Sequence, residues 1–192
     1  MVKRCVIVFL VLNTLFLNAQ IVDDSYVRQH YTKKSYNIPM RDGVKLYTLV
    51  YTPKDTSKTY PILLNRSCYN ASSHDKFQTN GQPSDYLVKD RYILVYQDVR
   101  GRYMSEGEFN TLTPNIPGND LKDTSAIDES SDTYDTIDWL INKLSNNNKK
   151  VGVFGISYPG FYTAAALPNA HPALKAASPQ APISDFFFDD FI

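Results

Sequence analysis

The chain has 192 residues, 43% of them hydrophobic and 13% aromatic, which is enough apolar material for one buried core. Its 20 Lys and Arg balance 20 Asp and Glu, and no basic block stands out. The charge pattern therefore gives no support to a nucleic-acid partner or to adsorption on an anionic membrane.

Lys3 and Arg4 form a short basic head, and the stretch from Val6 to Leu17 is apolar except for Asn13 and Thr14. Asn18, Ala19 and Gln20 then open a polar chain. This is the layout of a secretory signal peptide cleaved after Ala19. The apolar run is too short to span a bilayer comfortably, since a spanning helix needs ~20 such residues. The expectation is an exported protein, periplasmic or secreted, with residues 1–19 removed and no membrane anchor left. An uncleaved N-terminal anchor is the alternative. Loss of Lys3 and Arg4 makes the mature chain mildly acidic. Cys5 leaves with the leader, and Cys68 alone cannot form an intrachain disulfide. Cys68 has no local signature of a nucleophile and reads as a buried or incidental thiol.

Residues 36–40 and 44–51 are strand-like runs separated by Arg41-Asp42-Gly43, a strong hairpin signal. Pro39 suits an edge strand, because it cannot donate to a ladder. Residues 61–64 form a short continuous apolar run, as in a buried strand. A helix over 84–89 and a strand over 92–97 follow. Residues 100–130, rich in Gly, Pro, Asn, Asp and Ser, read as a long loop, which at such a length is either functional or an excursion over the surface. Ile137, Leu140, Ile141 and Leu144 recur at helical spacing and predict a helix over 132–144. A strand over 151–154, a helix over 159–167 and a strand over 174–177 complete the order. From residue 61 strands and helices alternate, which predicts an α/β fold with a mostly parallel sheet and helices on both faces. There is no internal repeat.

Gly155-Ile156-Ser157-Tyr158-Pro159-Gly160 lies between the last apolar strand and the helix that follows. The second Gly falls three residues after the serine, not two, so the segment departs from the strict G-x-S-x-G pattern. The context still fits a nucleophile elbow, with Ser157 on a sharp strand-to-helix turn. Gly155 would remove a Cβ where the chain packs on itself, and Pro159 is tolerated in the first helical turn. Ser157 Oγ would then be exposed, and the Tyr158 N–H would face an oxyanion at the helix N-terminus. An ordinary serine in a Gly-containing turn is the competing reading of this segment alone.

The wider sequence resembles the X-Pro dipeptidyl-peptidase-like serine hydrolases, the group of cocaine esterase, α-amino-acid ester hydrolases and glutaryl-cephalosporin acylases. The resemblance runs from about Tyr36 to Ile192. It rests on the segments 38–46, 97–102, 105–109, Asp128-Glu129, 136–140, Gly155 to Gly160, 171–175 and 177–179. In that family the elbow reads G-x-S-Y-x-G, as here. The resemblance implies an α/β-hydrolase fold, with residues 20–192 as the N-terminal portion of its domain. It also implies Ser157 as the nucleophile and the Tyr158 N–H as an oxyanion donor. Tyr69 falls where the family has a tyrosine whose hydroxyl is the second donor, although Cys68 replaces the usual Pro before it. A phenolic O–H suits that role. Asp189-Asp190-Phe191 resembles an Asp-Asp-aromatic segment of the amino-ester hydrolases. There the second carboxylate, here Asp190, helps hold the substrate's α-ammonium; two solvated carboxylates are the alternative.

In this fold the triad follows in the order Ser, Asp or Glu, His. Only His171 follows Ser157, and its surroundings match a structural histidine with its ring tied to a local backbone group. The expectation is that the triad Asp and His, a lid and a C-terminal β-sandwich lie beyond Ile192, and that the chain as given is inactive. The function expected is hydrolysis of an ester or amide through an acyl-enzyme, on a small-molecule or short-peptide substrate with a free α-amino group. An X-Pro dipeptidyl-peptidase is the alternative, and a non-catalytic binding protein on a hydrolase fold is an alternative of another class. No cofactor and no metal are implied.

Overall fold

A computed structural model describes residues 22–72, 85–117 and 125–184. The leader 1–19, His74 and the Asp189-Asp190-Phe191 segment, with the substrate-binding candidate Asp190, lie outside the described residues.

The elements follow as α1 (Asp24–His30), β1 (Tyr31–Pro39), β2 (Lys45–Pro53), β3 (Tyr60–Ser67), α2 (Asp85–Lys89), β4 (Ile93–Asp98), α3 (Glu129–Lys143), β5 (Asn147–Ile156), α4 (Tyr158–Ala165) and β6 (Leu174–Gln180). They build one six-stranded sheet in the order β1-β2-β4-β3-β5-β6. β1 and β2 form the antiparallel hairpin expected at Asp42-Gly43, in register Ile38 to Leu46 and Pro39 to Lys45. Gly43 takes φ +88°, which the turn requires and glycine adopts at no steric cost. Pro39 sits on the outermost strand, where its missing N–H breaks no central ladder. β2 pairs antiparallel with β4, and β4, β3, β5 and β6 are mutually parallel.

Successive residues of a strand face opposite sides of the sheet, so one strand feeds two cores. Ile62 and Leu64 of β3, Ile93 and Val95 of β4, and Val151 and Val153 of β5 pack with Ile137 and Leu140 of α3. Leu49 and Tyr51 of β2 and Leu94 and Tyr96 of β4 pack on the other side with Tyr26 and Val27 of α1 and Val88 of α2. Helices thus cover both faces, as the alternation of elements implies.

Several boundaries differ from the sequence reading: β3, β5 and β6 run longer than their apolar cores, β5 from Asn147 rather than Val151. β1 begins at Tyr31, five residues before the expected start, because its first half is exposed and polar and so carries no period-2 apolar signal. α1, short and preceding it, gives no periodic signal either. α3 begins at Glu129 rather than Asp132, with Asp128 as N-cap and a reciprocal capping box to Ser131. Its first turn is polar yet buried, so apolar periodicity misses it.

The reason is a buried ionic network. Arg66 on β3 donates to Gln97 Oε1 at 2.9 Å, to the Glu129 backbone carbonyl at 3.0 Å, to its carboxylate at 2.8 Å and to Thr133 Oγ1 at 2.8 Å. Arg100 bridges Asp132 and Asp42, each at 2.7 Å. Burial pushes the Glu129 carboxyl up even with Arg66 beside it. Arg66→Met in the full-length protein should cost about 3–5 kcal/mol in denaturant unfolding, because it strips Glu129 of its cation in the interior. A loss below about 1 kcal/mol would show that the network does not hold α3 on the sheet.

Candidate active site

β3, β4, β5 and β6 run parallel, so Ser67, Asp98, Ile156 and Gln180 end at one edge of the sheet. The loops that leave these ends converge there, and open α/β sheets place ligands in that position. The turn after β5 runs directly from strand into helix at Ser157. Ser157 has φ 62° and ψ −122°, a conformation that a residue with a side chain adopts only where its surroundings impose it. Its N–H donates to the Gln180 carbonyl at 3.0 Å, and its carbonyl accepts from the Phe161 N–H at 3.1 Å. Tyr158 is the first residue of α4, with Pro159 in the first turn. Ser157 itself is exposed at the tip.

Two glycines permit this turn. A Cβ on Gly155 would lie 2.2 Å from the Pro159 carbonyl oxygen, and one on Gly160 would lie 2.5 Å from the Gln180 carbonyl oxygen. Both obstacles are backbone and cannot swing aside. The spacing of the second glycine therefore follows from contact with β6, which the irregular motif obscures in the sequence.

An open cleft of about 380 Å³ lies over the serine, lined by Cys68, Tyr69, Arg102, Phe109, Ser157, Tyr158 and Ile183. The structure thus brings together Ser157, Tyr158 and Tyr69. The Tyr69 ring stands edge-on to that of Tyr158, with centroids 6.3 Å apart, and is 55% exposed. The Tyr158 side chain is buried, stacks on Tyr162 and accepts from the Leu112 N–H at 3.0 Å. Its backbone N–H belongs to the first turn of α4, the positive pole of the helix.

Three anchors fix the loop that carries Tyr69. Its own N–H donates to Ser67 Oγ at 2.9 Å. The Ala71 N–H donates to the Asp98 carboxylate, and the Cys68 carbonyl accepts from Arg102 Nε at 3.3 Å. Asp98 is fully buried, and burial pushes its carboxyl above the ordinary range. Cys68 accommodates the position where Pro is usual. Burial pushes its thiol up, which keeps it protonated and argues against a nucleophilic role.

Neither of the two described histidines joins the cleft. His171 Nδ1 accepts from the Ala173 N–H at 3.0 Å, its Nε2 lies 3.6 Å from Asp138, and its ring packs on Tyr134. This is the local tether expected for it. β5 and β6 pair from Val151 with Leu174 to Ile156 with Gln180, so His171 precedes the strand end opposite to Ser157. At ~3.3 Å per residue the separation along β6 is about 20 Å. His30 ends α1, against the far edge strand. Arg102, Phe109 and Ile183 are further cleft residues to which the sequence reading assigns no role; the loop after β4 delivers the first two and the segment after β6 the third.

The family model for X-Pro dipeptidyl-peptidase (S15 family) matches residues 42–192. The chain belongs to the X-Pro dipeptidyl-peptidase S15 family. Cocaine esterase of Rhodococcus sp. (strain MB1 Bresler) is 34% identical over 152 residues, covering 78% of this chain and 23% of the esterase. Among solved structures, an α-amino acid ester hydrolase superposes with a TM-score of 0.73 at 42% identity, over 82% of this chain and 26% of that one. An aminopeptidase from a marine sediment archaeon, Thaumarchaeota archaeon, does so with a TM-score of 0.71 at 39% identity and the same coverages. The chain therefore spans about a quarter of the length of these relatives, and its fold is that of an α/β-hydrolase.

Proposed function

We propose that the protein is a serine hydrolase that cleaves an ester or amide through an acyl-enzyme on Ser157. The observation that carries this reading is the strained turn at Ser157, set in one cleft with Tyr69 and the N-terminus of α4. In the reaction, Ser157 Oγ adds to the substrate carbonyl as its proton passes to a base, and the carbonyl oxygen becomes an oxyanion. The Tyr158 N–H and the Tyr69 hydroxyl donate to that oxyanion. Collapse expels the alcohol or amine, which takes the proton, and water releases the acyl group in a second addition. The base comes from outside the described residues; neither His30 nor His171 supplies it.

The substrate class proposed is esters or amides with a free α-amino group. Its support is the resemblance to an α-amino acid ester hydrolase and to an aminopeptidase, with Asp190 as the carboxylate that would receive the ammonium. Export directed by residues 1–19 places the enzyme in the periplasm or outside the cell. A panel on the full-length protein tests the reading. Amino-acid p-nitrophenyl esters should be turned over faster than their N-acetylated counterparts and faster than Gly-Pro p-nitroanilide. Preference for Gly-Pro p-nitroanilide would instead assign an X-Pro dipeptidyl-peptidase, and no turnover of any of these would favour a binding protein.

A further inference from the structure

We propose that Arg102 is a carboxylate-recognition residue of the cleft, so that preferred substrates carry an anionic carboxylate in addition to the bond that is cleaved. The inference rests on the hydrolase reading and adds to it a charged substrate group. Among the residues that line the cleft beside Ser157, Arg102 is the charged one. Its carbon Cζ lies 4.8 Å from the centroid of Phe109 and 5.2 Å from that of Tyr103, and its Nε donates to the Cys68 carbonyl. These contacts hold the guanidinium through three neutral partners, and among the described residues no carboxylate forms an ion pair with it. Arg41, Arg66 and Arg100 differ, each being paired to a carboxylate. Asp98, whose carboxyl feels the field of Arg102, has its oxygens on the Ala71 and Met104 N–H groups.

The loop is shaped to produce this arrangement. Gly101 has φ +67°, and a Cβ there would lie 2.1 Å from the Phe109 nitrogen. The absence of a side chain at Gly101 lets the chain return and set the Phe109 ring against Arg102. A half-buried guanidinium with a preset plane matches a carboxylate by paired N–H donors, and arginine is suited to that task where lysine is not. The carboxylate could lie on the leaving group or on the acyl group, and both place the same charge in the cleft.

Matched pairs of substrates on the full-length enzyme test the inference. L-alanyl 4-nitroanilide against L-alanyl 3-carboxy-4-nitroanilide varies the leaving group, and p-nitrophenyl butyrate against mono-p-nitrophenyl glutarate varies the acyl group. The wild-type enzyme should favour the carboxylated member of at least one pair about tenfold or more in kcat/KM, mainly through KM, and less so at high salt. Arg102→Gln, which keeps an amide N–H for the Cys68 carbonyl, should bring that ratio close to one. Arg102→Lys should restore part of it. Equal loss on both members of each pair, or no preference in the wild type, would overturn the inference and make Arg102 a structural tether. Turnover that survives Ser157→Ala would instead overturn the hydrolase reading itself.

Discussion

Ser157→Ala in the full-length protein is expected to lower kcat for an amino-acid ester by about 10⁴-fold or more, with folding preserved. The size follows from the chemistry. Without the hydroxyl no acyl-enzyme can form, and only substrate binding and oxyanion stabilisation remain. Folding should survive because Ser157 is exposed and its side chain caps nothing: the turn is held by the Ser157 N–H to Gln180 and by the close approaches at Gly155 and Gly160. An alanine has the same Cβ at φ 62°, so the backbone conformation is neither relieved nor worsened. Steady-state kinetics with circular dichroism on the same sample check both halves. Retention of more than a tenth of the activity would remove Ser157 from the mechanism.

Tyr69→Phe should lower kcat by roughly 10²–10³ with little change in KM. The hydroxyl is required where charge develops on the carbonyl oxygen, hence in the transition state more than in the bound substrate. Phenylalanine keeps the ring that stands edge-on to Tyr158, so the substitution isolates the O–H from packing. The loop should stay in place, because Ser67, Asp98 and Arg102 anchor it through backbone groups of residues 68–71. An unchanged kcat would make Tyr69 a wall of the cleft and leave the oxyanion to other donors.

The hairpin, the parallel sheet and the elbow are legible in the sequence because each has a local cause. Asp42-Gly43 supplies the turn, Pro39 marks the edge, and Gly155 and Gly160 bracket a serine between a strand and a helix. The first turn of α3 is not legible from periodicity, since its residues are polar yet buried: Glu129 and Asp132 pair over long range with arginines from β3 and the loop after β4, and Ser130 and Ser131 bond to Asp128. Asp128-Glu129 stands out only by resemblance. Tyr69 is a similar case: one of 14 tyrosines, it is distinguished by family position until the loop geometry sets it beside Tyr158. Arg102 and Phe109 fall in segments that carry the family resemblance, yet their meeting is not legible there, because it depends on the left-handed conformation of Gly101 and on a contact seven residues apart across a loop.

The most direct measurement of the central claim is active-site labelling of the full-length protein with a fluorophosphonate, followed by peptide mapping. The account predicts a single phosphonylated residue, Ser157, with loss of ester hydrolysis in proportion to labelling and no adduct in Ser157→Ala. A catalytically active protein that takes no label, or takes it on another serine, would contradict it.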